Sequence, residues 1–187
     1  MQNATLLRSP DRPMEPGASN VPHWTVVRAQ PLLVLSLRNP GGADTWRDTW
    51  RRLTALVFSC GLATRETKAI EVHYDAGTSR RFDACLSIPS SRLAAEVTAD
   101  DLAQVPGARM ESVMGHGPFL HHRPTAGQDG RPAPAAPLPP AAGPHPTSLV
   151  PAWPRYHVYA CSPALAGETP VITDTYITLT ASAPARP

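Results

Sequence analysis

Histidines and carboxylates that stand close together in the sequence are the first candidates for catalysis or metal binding. His116, His121 and His122 share one short stretch, but no cysteine or acidic residue stands beside them at ligand spacing. Asp75 and Asp83 flank a predicted hairpin, where aspartate typically fixes turn and strand-edge hydrogen bonds. Neither a glycine-rich phosphate loop nor a Gly-x-Ser-x-Gly elbow occurs. We therefore predict no catalytic residue, no metal site and no cofactor.

Aromatic side chains are the other candidates, because they suit flat organic ligands. Trp46 and Trp50 stand one helical turn apart, a spacing that favours packing of a helix on a sheet, although Trp50 remains a candidate for ligand binding. Tyr74 and Tyr176 fit two interpretations equally well: a place in a ligand pocket or a place in the core. The sequence thus favours ligand binding over chemistry.

The first half of the chain predicts the order strand, helix, strand, strand. In the third of these elements, alternation places Ile70, Val72 and Tyr74 on one face of the strand. Glu71 and His73 lie on the other face. The predicted elements are a strand over 24–37 broken at Pro31, a helix over 45–61 ending at Gly61, and strands over 68–75 and 81–89.

The second half repeats this order without its helix. Strands are predicted over 108–117, 155–161 and 173–180, and the helix position is taken by a proline-rich tract over 120–154. A helix interior tolerates almost no proline, and the tract has few apolar side chains to bury, so we expect it to be disordered. It is either a true insertion or a local reading-frame shift. In both cases an uncovered sheet predicts a destabilised or self-associating domain.

Composition limits the classes of partner. The chain has 187 residues, with 17 basic and 15 acidic residues and a net charge of +2, which gives no electrostatic case for nucleic-acid or membrane binding. Three cysteines without a Cys-x-x-Cys pair, and no signal peptide, favour the cytoplasm. We predict a tail over 1–23, one domain over 24–180 and a tail over 181–187.

Several motifs in this order resemble the GyrI-like family, the effector-binding domain of many AraC- and MerR-type transcription regulators. They are "VHYD" leading to "RFDAC", "GHGPF" after a strand, "YHVY" and the terminal "TDTYITL". The resemblance implies an α+β fold of duplicated strand–helix–strand–strand units, which form an antiparallel sheet with a central cleft. That cleft binds small, often aromatic or cationic, molecules.

His157 stands in "YHVY" where the resemblance implies a glutamate. Imidazole cannot balance a cation as a carboxylate does, so we expect an aromatic or hydrophobic ligand and no enzymatic activity. Strand alternation places His157 and Tyr159 on the same face, either in the cleft or as structural residues. The expected ligand-binding residues are Tyr74, His157, Tyr159, Tyr176 and Trp50.

The function implied is regulatory ligand binding. Because 23 residues precede the first strand, too few for a helix-turn-helix, we expect the domain to act without a DNA-binding domain of its own. Two alternatives stay open. One is a protein-interaction module, such as a DNA gyrase modulator, and the other is a hydrolase of reactive small molecules.

Overall fold

The computed structural model describes residues 24–41, 43–75, 81–92, 97–115, 117–124, 149–166 and 170–181. These residues form an α+β fold, with one antiparallel sheet of eight strands, one long helix, one short helix and a 3-10 turn. Neither described helix is long and apolar enough to cross a membrane. The predicted tail over 1–23 lies outside the described residues, as does the predicted tail over 181–187 except for Ala181, which is the last residue of the final strand.

The elements, in chain order, are β1 (Trp24–Arg28), β2 (Leu32–Asn39), α1 (Ala43–Ser59), β3 (Ala69–His73), β4 (Phe82–Ser87), a 3-10 turn (Ser90–Arg92), α2 (Ala99–Ala103), β5 (Ala108–Val113), β6 (Pro118–His122), β7 (Leu149–Tyr159) and β8 (Ile172–Ala181). Across the sheet the strands follow the order β1-β6-β8-β7-β3-β4-β2-β5, so that β7 and β3 pair at its centre although they are far apart in the chain.

Pro31 separates β1 from β2, which confirms the predicted break. Proline has no N–H group for a ladder, so a strand interrupted there can divide between two places in a sheet. β1 pairs with β6 at one edge, whereas β2 lies between β4 and β5 near the other. One predicted strand therefore contributes to both halves of the sheet.

Helix α1 ends at Ser59, and Gly61 follows it as the cap that the sequence predicts. Gly61 has a φ of 64°, which glycine adopts without a steric penalty, and the Leu62 N–H donates to the Val57 carbonyl at 3.0 Å. The inner side of the helix buries Trp50 and Leu53 completely against the sheet. Burial of this apolar side fixes α1 over β2 and β4.

The sheet has a core on each face. On the helix face, Trp50 and Leu53 of α1 pack with Ala84 and Leu86 of β4. The opposite face holds a second cluster, made of Val34, Ile70, Val72, Cys85, Val113, Met114, Phe119, Tyr156 and Val158. The alternation predicted for β3 is confirmed, because Ala69 belongs to the first cluster whereas Ile70 and Val72 belong to the second.

The proline-rich tract is shorter than the sequence predicts. β6 runs to His122 and β7 begins at Leu149, so both ends of the predicted 120–154 segment lie in strands. Pairing of β7 with β3 begins only at Arg155, and among the described residues the Pro-containing start of β7 pairs with β8 alone. A strand tolerates proline where no second neighbour needs its N–H. The prediction of disorder for 125–148 lies outside the described residues.

Candidate functional site

A buried glutamate, Glu71 of β3, lies beneath the first turns of α1. Its side chain is almost fully buried, and its Oε1 accepts hydrogen bonds from Trp46 Nε1 at 2.5 Å and from Trp50 Nε1 at 3.2 Å. The two indoles reach one oxygen because they stand four residues apart on the same side of the helix. The helix thus supplies two donors to a charge that the sheet buries.

Two histidines complete the surroundings of Glu71. His73 stands two residues further along β3, on the same face, and its Nε2 donates to Glu71 Oε2 at 3.2 Å. His157 is the direct partner of Glu71 in the β3–β7 ladder, and its ring centroid lies 4.9 Å from that of His73. We refer to Trp46, Trp50, Glu71, His73, His157 and Tyr159 as the Glu71 cluster.

The electrostatics of the cluster keep Glu71 charged and His157 neutral at pH 7. Burial raises the pKa of Glu71, but hydrogen bonds from His73, Trp46 and Tyr159 outweigh it, so the pKa is lowered overall. Burial, and then the neighbouring His73, lower the pKa of His157 to about 4. Burial and the adjacent carboxylate raise the pKa of Tyr159, whose hydroxyl hydrogen-bonds to Glu71.

Three of the five predicted ligand-binding residues meet in this cluster. His157 and Tyr159 lie on the same face, as predicted, and Tyr159 packs edge-on against Trp50 with ring centroids 6.0 Å apart. The core position that the spacing favours for Trp50 is confirmed, because the side chain has no exposed surface.

Glu71 and His73 were missing from the predicted site. Sequence alternation assigned them to one face of β3, and that assignment is correct. It gave no sign that α1 covers this face, because a charged residue at every second position of a strand normally faces water. The available signal was the Glu-x-His spacing combined with two tryptophans one helical turn apart in the preceding helix.

Tyr74 takes part in a second buried carboxylate cluster, on the opposite face. Its hydroxyl donates to Asp83 Oδ2 at 2.9 Å, and Arg109 Nη2 donates to the same oxygen at 2.6 Å. Arg38 also donates to both oxygens of Asp83 and lies over the Tyr74 ring. Asp83 is fully buried and holds strands together by ion pairs, rather than by the turn hydrogen bonds that we predicted.

A cavity of 580 Å³ opens where β3 begins and β7 ends. Its lining residues include Leu32, Met114 and Val158, together with Tyr159 and Tyr176. Tyr159 also belongs to the Glu71 cluster, whereas Glu71, His73 and His157 are not among the lining residues. Two predicted residues, Tyr159 and Tyr176, therefore line the cavity.

Charged side chains lie around the mouth of this cavity. Arg65, Glu66 and Lys68 come from the segment before β3. Asp174 of β8 accepts from His121 Nε2 and from Arg123 Nε, each at 2.8 Å. Burial raises the pKa of Asp174, but these hydrogen bonds and the Arg123 charge lower it overall.

Comparison with known proteins identifies the fold alone. No model of a known protein family matches the sequence, and no curated protein is significantly similar to it. An uncharacterized conserved protein from Listeria innocua is 11% identical, with a TM-score of 0.50 over 87% of this chain and 93% of its own. A hydrolase from Listeria innocua is 10% identical, with a TM-score of 0.50 over 88% of this chain and 94% of its own. At this identity the likeness concerns the fold and not the function.

Proposed function

We propose that this chain is a non-catalytic binding domain of the GyrI-like kind, which takes a small aromatic or hydrophobic molecule in the cavity. The observation that carries the proposal is the cavity itself, with Tyr176, Val158 and Met114 in its wall. Its volume of 580 Å³ falls in the range of small-molecule sites, about 300–1,000 Å³. Apolar and aromatic walls favour a flat organic ligand.

The strand order supports the duplicated unit that the GyrI-like resemblance implies. Outward from the central β7–β3 pair lie β8 and β4, then β6 and β2, then β1 and β5. In one half the chain runs from β2 through α1 to β3 and on to β4. In the other half it runs from β6 through residues 123–148 to β7 and on to β8. The strands of the two halves thus occur in the same order, and Glu71 and His157 lie opposite each other where the halves meet.

The charges at the mouth favour a ligand with an anionic group. Arg65 and Lys68 outnumber Glu66 there, and neither basic side chain has an ion pair within the part of the chain that the structure describes. Asp174 is already balanced by Arg123 and His121. A cation entering the cavity is repelled by Arg65 and Lys68, and the charge of Asp174 is already balanced.

The buried carboxylates near the cavity favour binding over hydrolysis. Asp174 Oδ1 accepts from His121 and from the charged Arg123, and both oxygens of Glu71 accept hydrogen bonds on the helix face. A general base must be within hydrogen-bond reach of the proton it takes, with an acceptor site open to it. Binding without turnover suits an effector-binding role in the regulation of transcription. The gyrase-modulator alternative predicts instead a stable protein complex without ligand.

The test compares two probes of the same shape and opposite charge, 1-naphthoate and 1-naphthylmethylammonium, by thermal unfolding. At a concentration about 100-fold above Kd we expect naphthoate to raise Tm by roughly 5–10 °C. The cation should raise it far less. A Tm that neither probe changes would argue against the proposal.

Matched variants separate the cavity from general surface charge. Lys68→Ala and Arg65→Ala should each weaken naphthoate binding about two- to fivefold, as expected for an exposed charge pair worth ~0.5–1 kcal/mol. Arg52→Ala, on the exposed side of α1, is the control and should leave the affinity unchanged. Equal losses in all three variants would indicate non-specific attraction of the anion.

A further inference from the structure

The Glu71 cluster contains three metal-ligating side chains whose donor atoms converge. A carboxylate oxygen of Glu71 and one ring nitrogen each of His73 and His157 lie within 4.8 Å of one another. Two of these residues alternate along β3, and the third is the partner of Glu71 in β7. Directly opposite residues on one face of a ladder have Cβ atoms about 4.5–5.5 Å apart, so their side chains can share a ligand.

The indole donors determine which carboxylate oxygen faces the histidines. Trp46 and Trp50 both donate to Oε1, whereas Oε2 lies 3.2 Å from His73 Nε2. In metal sites, hydrogen bonds from surrounding groups orient the ligating side chains in this way. Glu71 is therefore held with Oε2 directed toward the His73 imidazole before any ion arrives.

The distances are close to those of a tetrahedral centre. Two ligands about 2.0–2.1 Å from zinc are about 3.4 Å apart at the tetrahedral angle. Glu71 Oε2 and His73 Nε2 are 3.2 Å apart and nearly meet this requirement. The three donor atoms lie within 4.8 Å of one another, so the His157 nitrogen has to move by at most about 1.4 Å to reach the same separation.

We propose that Glu71, His73 and His157 bind a divalent transition-metal ion, with zinc as the expected occupant. Two imidazoles and one carboxylate suit zinc, whereas magnesium and calcium prefer oxygen ligands alone. The ion enters beside His73, whose side chain is 26% exposed, and a water completes the coordination. Because the site joins β3 to β7 at the centre of the sheet, binding stabilises the folded chain.

The test is a cobalt titration of the full chain, followed by visible d–d absorption and competition with zinc. Cys60→Ser and Cys161→Ser form the background, because these two thiols are not buried and offer alternative ligands. We expect one cobalt ion per chain, displaced by zinc. His73→Gln and His157→Gln should each weaken binding by at least ~10-fold, a loss that even outer partners of a metal site produce.

His122→Gln on β6 is the matched control, because it removes an imidazole outside the cluster. Circular dichroism in metal-free buffer checks that each variant is folded. If His157→Gln does not fold, the His73→Gln variant alone provides the test, because His73 is partly exposed. Absence of cobalt absorption at millimolar metal, or equal affinity in His73→Gln and the control, would overturn the proposal. Both results leave the cavity experiment unaffected, since the cavity does not include these side chains.

Discussion

Glu71 and His157 lie directly opposite each other in the ladder between β3 and β7. This pair stands at the centre of the eight-stranded sheet, where the two halves of the chain meet. A carboxylate is therefore present beside His157, but it comes from the neighbouring strand. A negative charge thus lies next to His157 even though position 157 itself carries no carboxylate.

Removal of the Glu71 carboxylate should destabilise the fold. Glu71→Ala leaves the Trp46 and Trp50 indole N–H groups without their acceptor, and each unsatisfied buried donor costs about 1–3 kcal/mol. We expect a loss of roughly 2–5 kcal/mol in the free energy of unfolding, measured with urea. Glu71→Gln keeps an acceptor oxygen and should lose less. Equal losses in both variants would contradict the assigned hydrogen bonds, and the exposed Glu66→Ala is the neutral control.

Removal of the Asp83 carboxylate should destabilise the fold about as much as removal of the Glu71 carboxylate, for a different reason. Asp83 is fully buried between Arg38 and Arg109, so Asp83→Ala leaves Arg38 without its counter-charge and Arg109 with Glu111 alone. Loss of one partner from a buried ion pair typically costs about 3–5 kcal/mol. Both arginines are partly exposed, so water compensates for some of this, and we expect about 2–4 kcal/mol by urea unfolding. Asp48→Ala, in an exposed pair with Arg51, should stay within about 1 kcal/mol of the parent chain.

Because of Asp174, the free energy of unfolding should fall in acid. The pKa of Asp174 is lowered in the folded chain, so its contribution is complete above the unfolded pKa of about 4 and is lost as the pH falls further. At pH 6 the parent chain should exceed Asp174→Asn by roughly 1.5–3 kcal/mol, the range of hydrogen bonds to charged groups. At pH 3 this difference should shrink. A difference that does not change with pH, or the same trend in the exposed Asp100→Asn, would contradict the assignment.

Gly61 tests the end of α1. A Cβ at this position meets no atom within 4 Å, so Gly61→Ala changes only the cost of a positive φ. That cost is about 1 kcal/mol, or roughly 2–4 °C in Tm for a chain of this length. Gly61→Asn should lose less, because asparagine tolerates the left-handed region better. An unchanged Tm in Gly61→Ala would contradict the left-handed backbone conformation of Gly61 after α1.

Much of the local structure follows from the sequence because alternation and helical spacing are local signals. The faces of β3, the shared face of His157 and Tyr159, and the Gly61 cap after α1 were predicted correctly. The pattern of Trp46 and Trp50 was also correctly assigned to packing on a sheet. Each of these features depends on residues a few positions apart.

The Glu71 cluster could not be predicted, because it depends on long-range pairing. Glu71 meets His157 only through the β3–β7 register, and no local period specifies that register. The prolines at the start of β7 misled the prediction for a related reason. Among the described residues, β7 pairs with β3 only from Arg155 onward, so Pro151 and Pro154 are tolerated, and a single sequence does not reveal where a neighbouring strand stops.

The most direct test of ligand binding in the cavity is a methyl NMR titration of the chain with 1-naphthoate. The proposal predicts saturable shifts of the Met114, Val158 and Leu32 methyl signals, all from the cavity wall. The Leu53 and Val57 methyl groups, buried under α1 on the other face, should not shift. Shifts confined to the α1 methyl groups, or no saturable shift at all, would contradict the account.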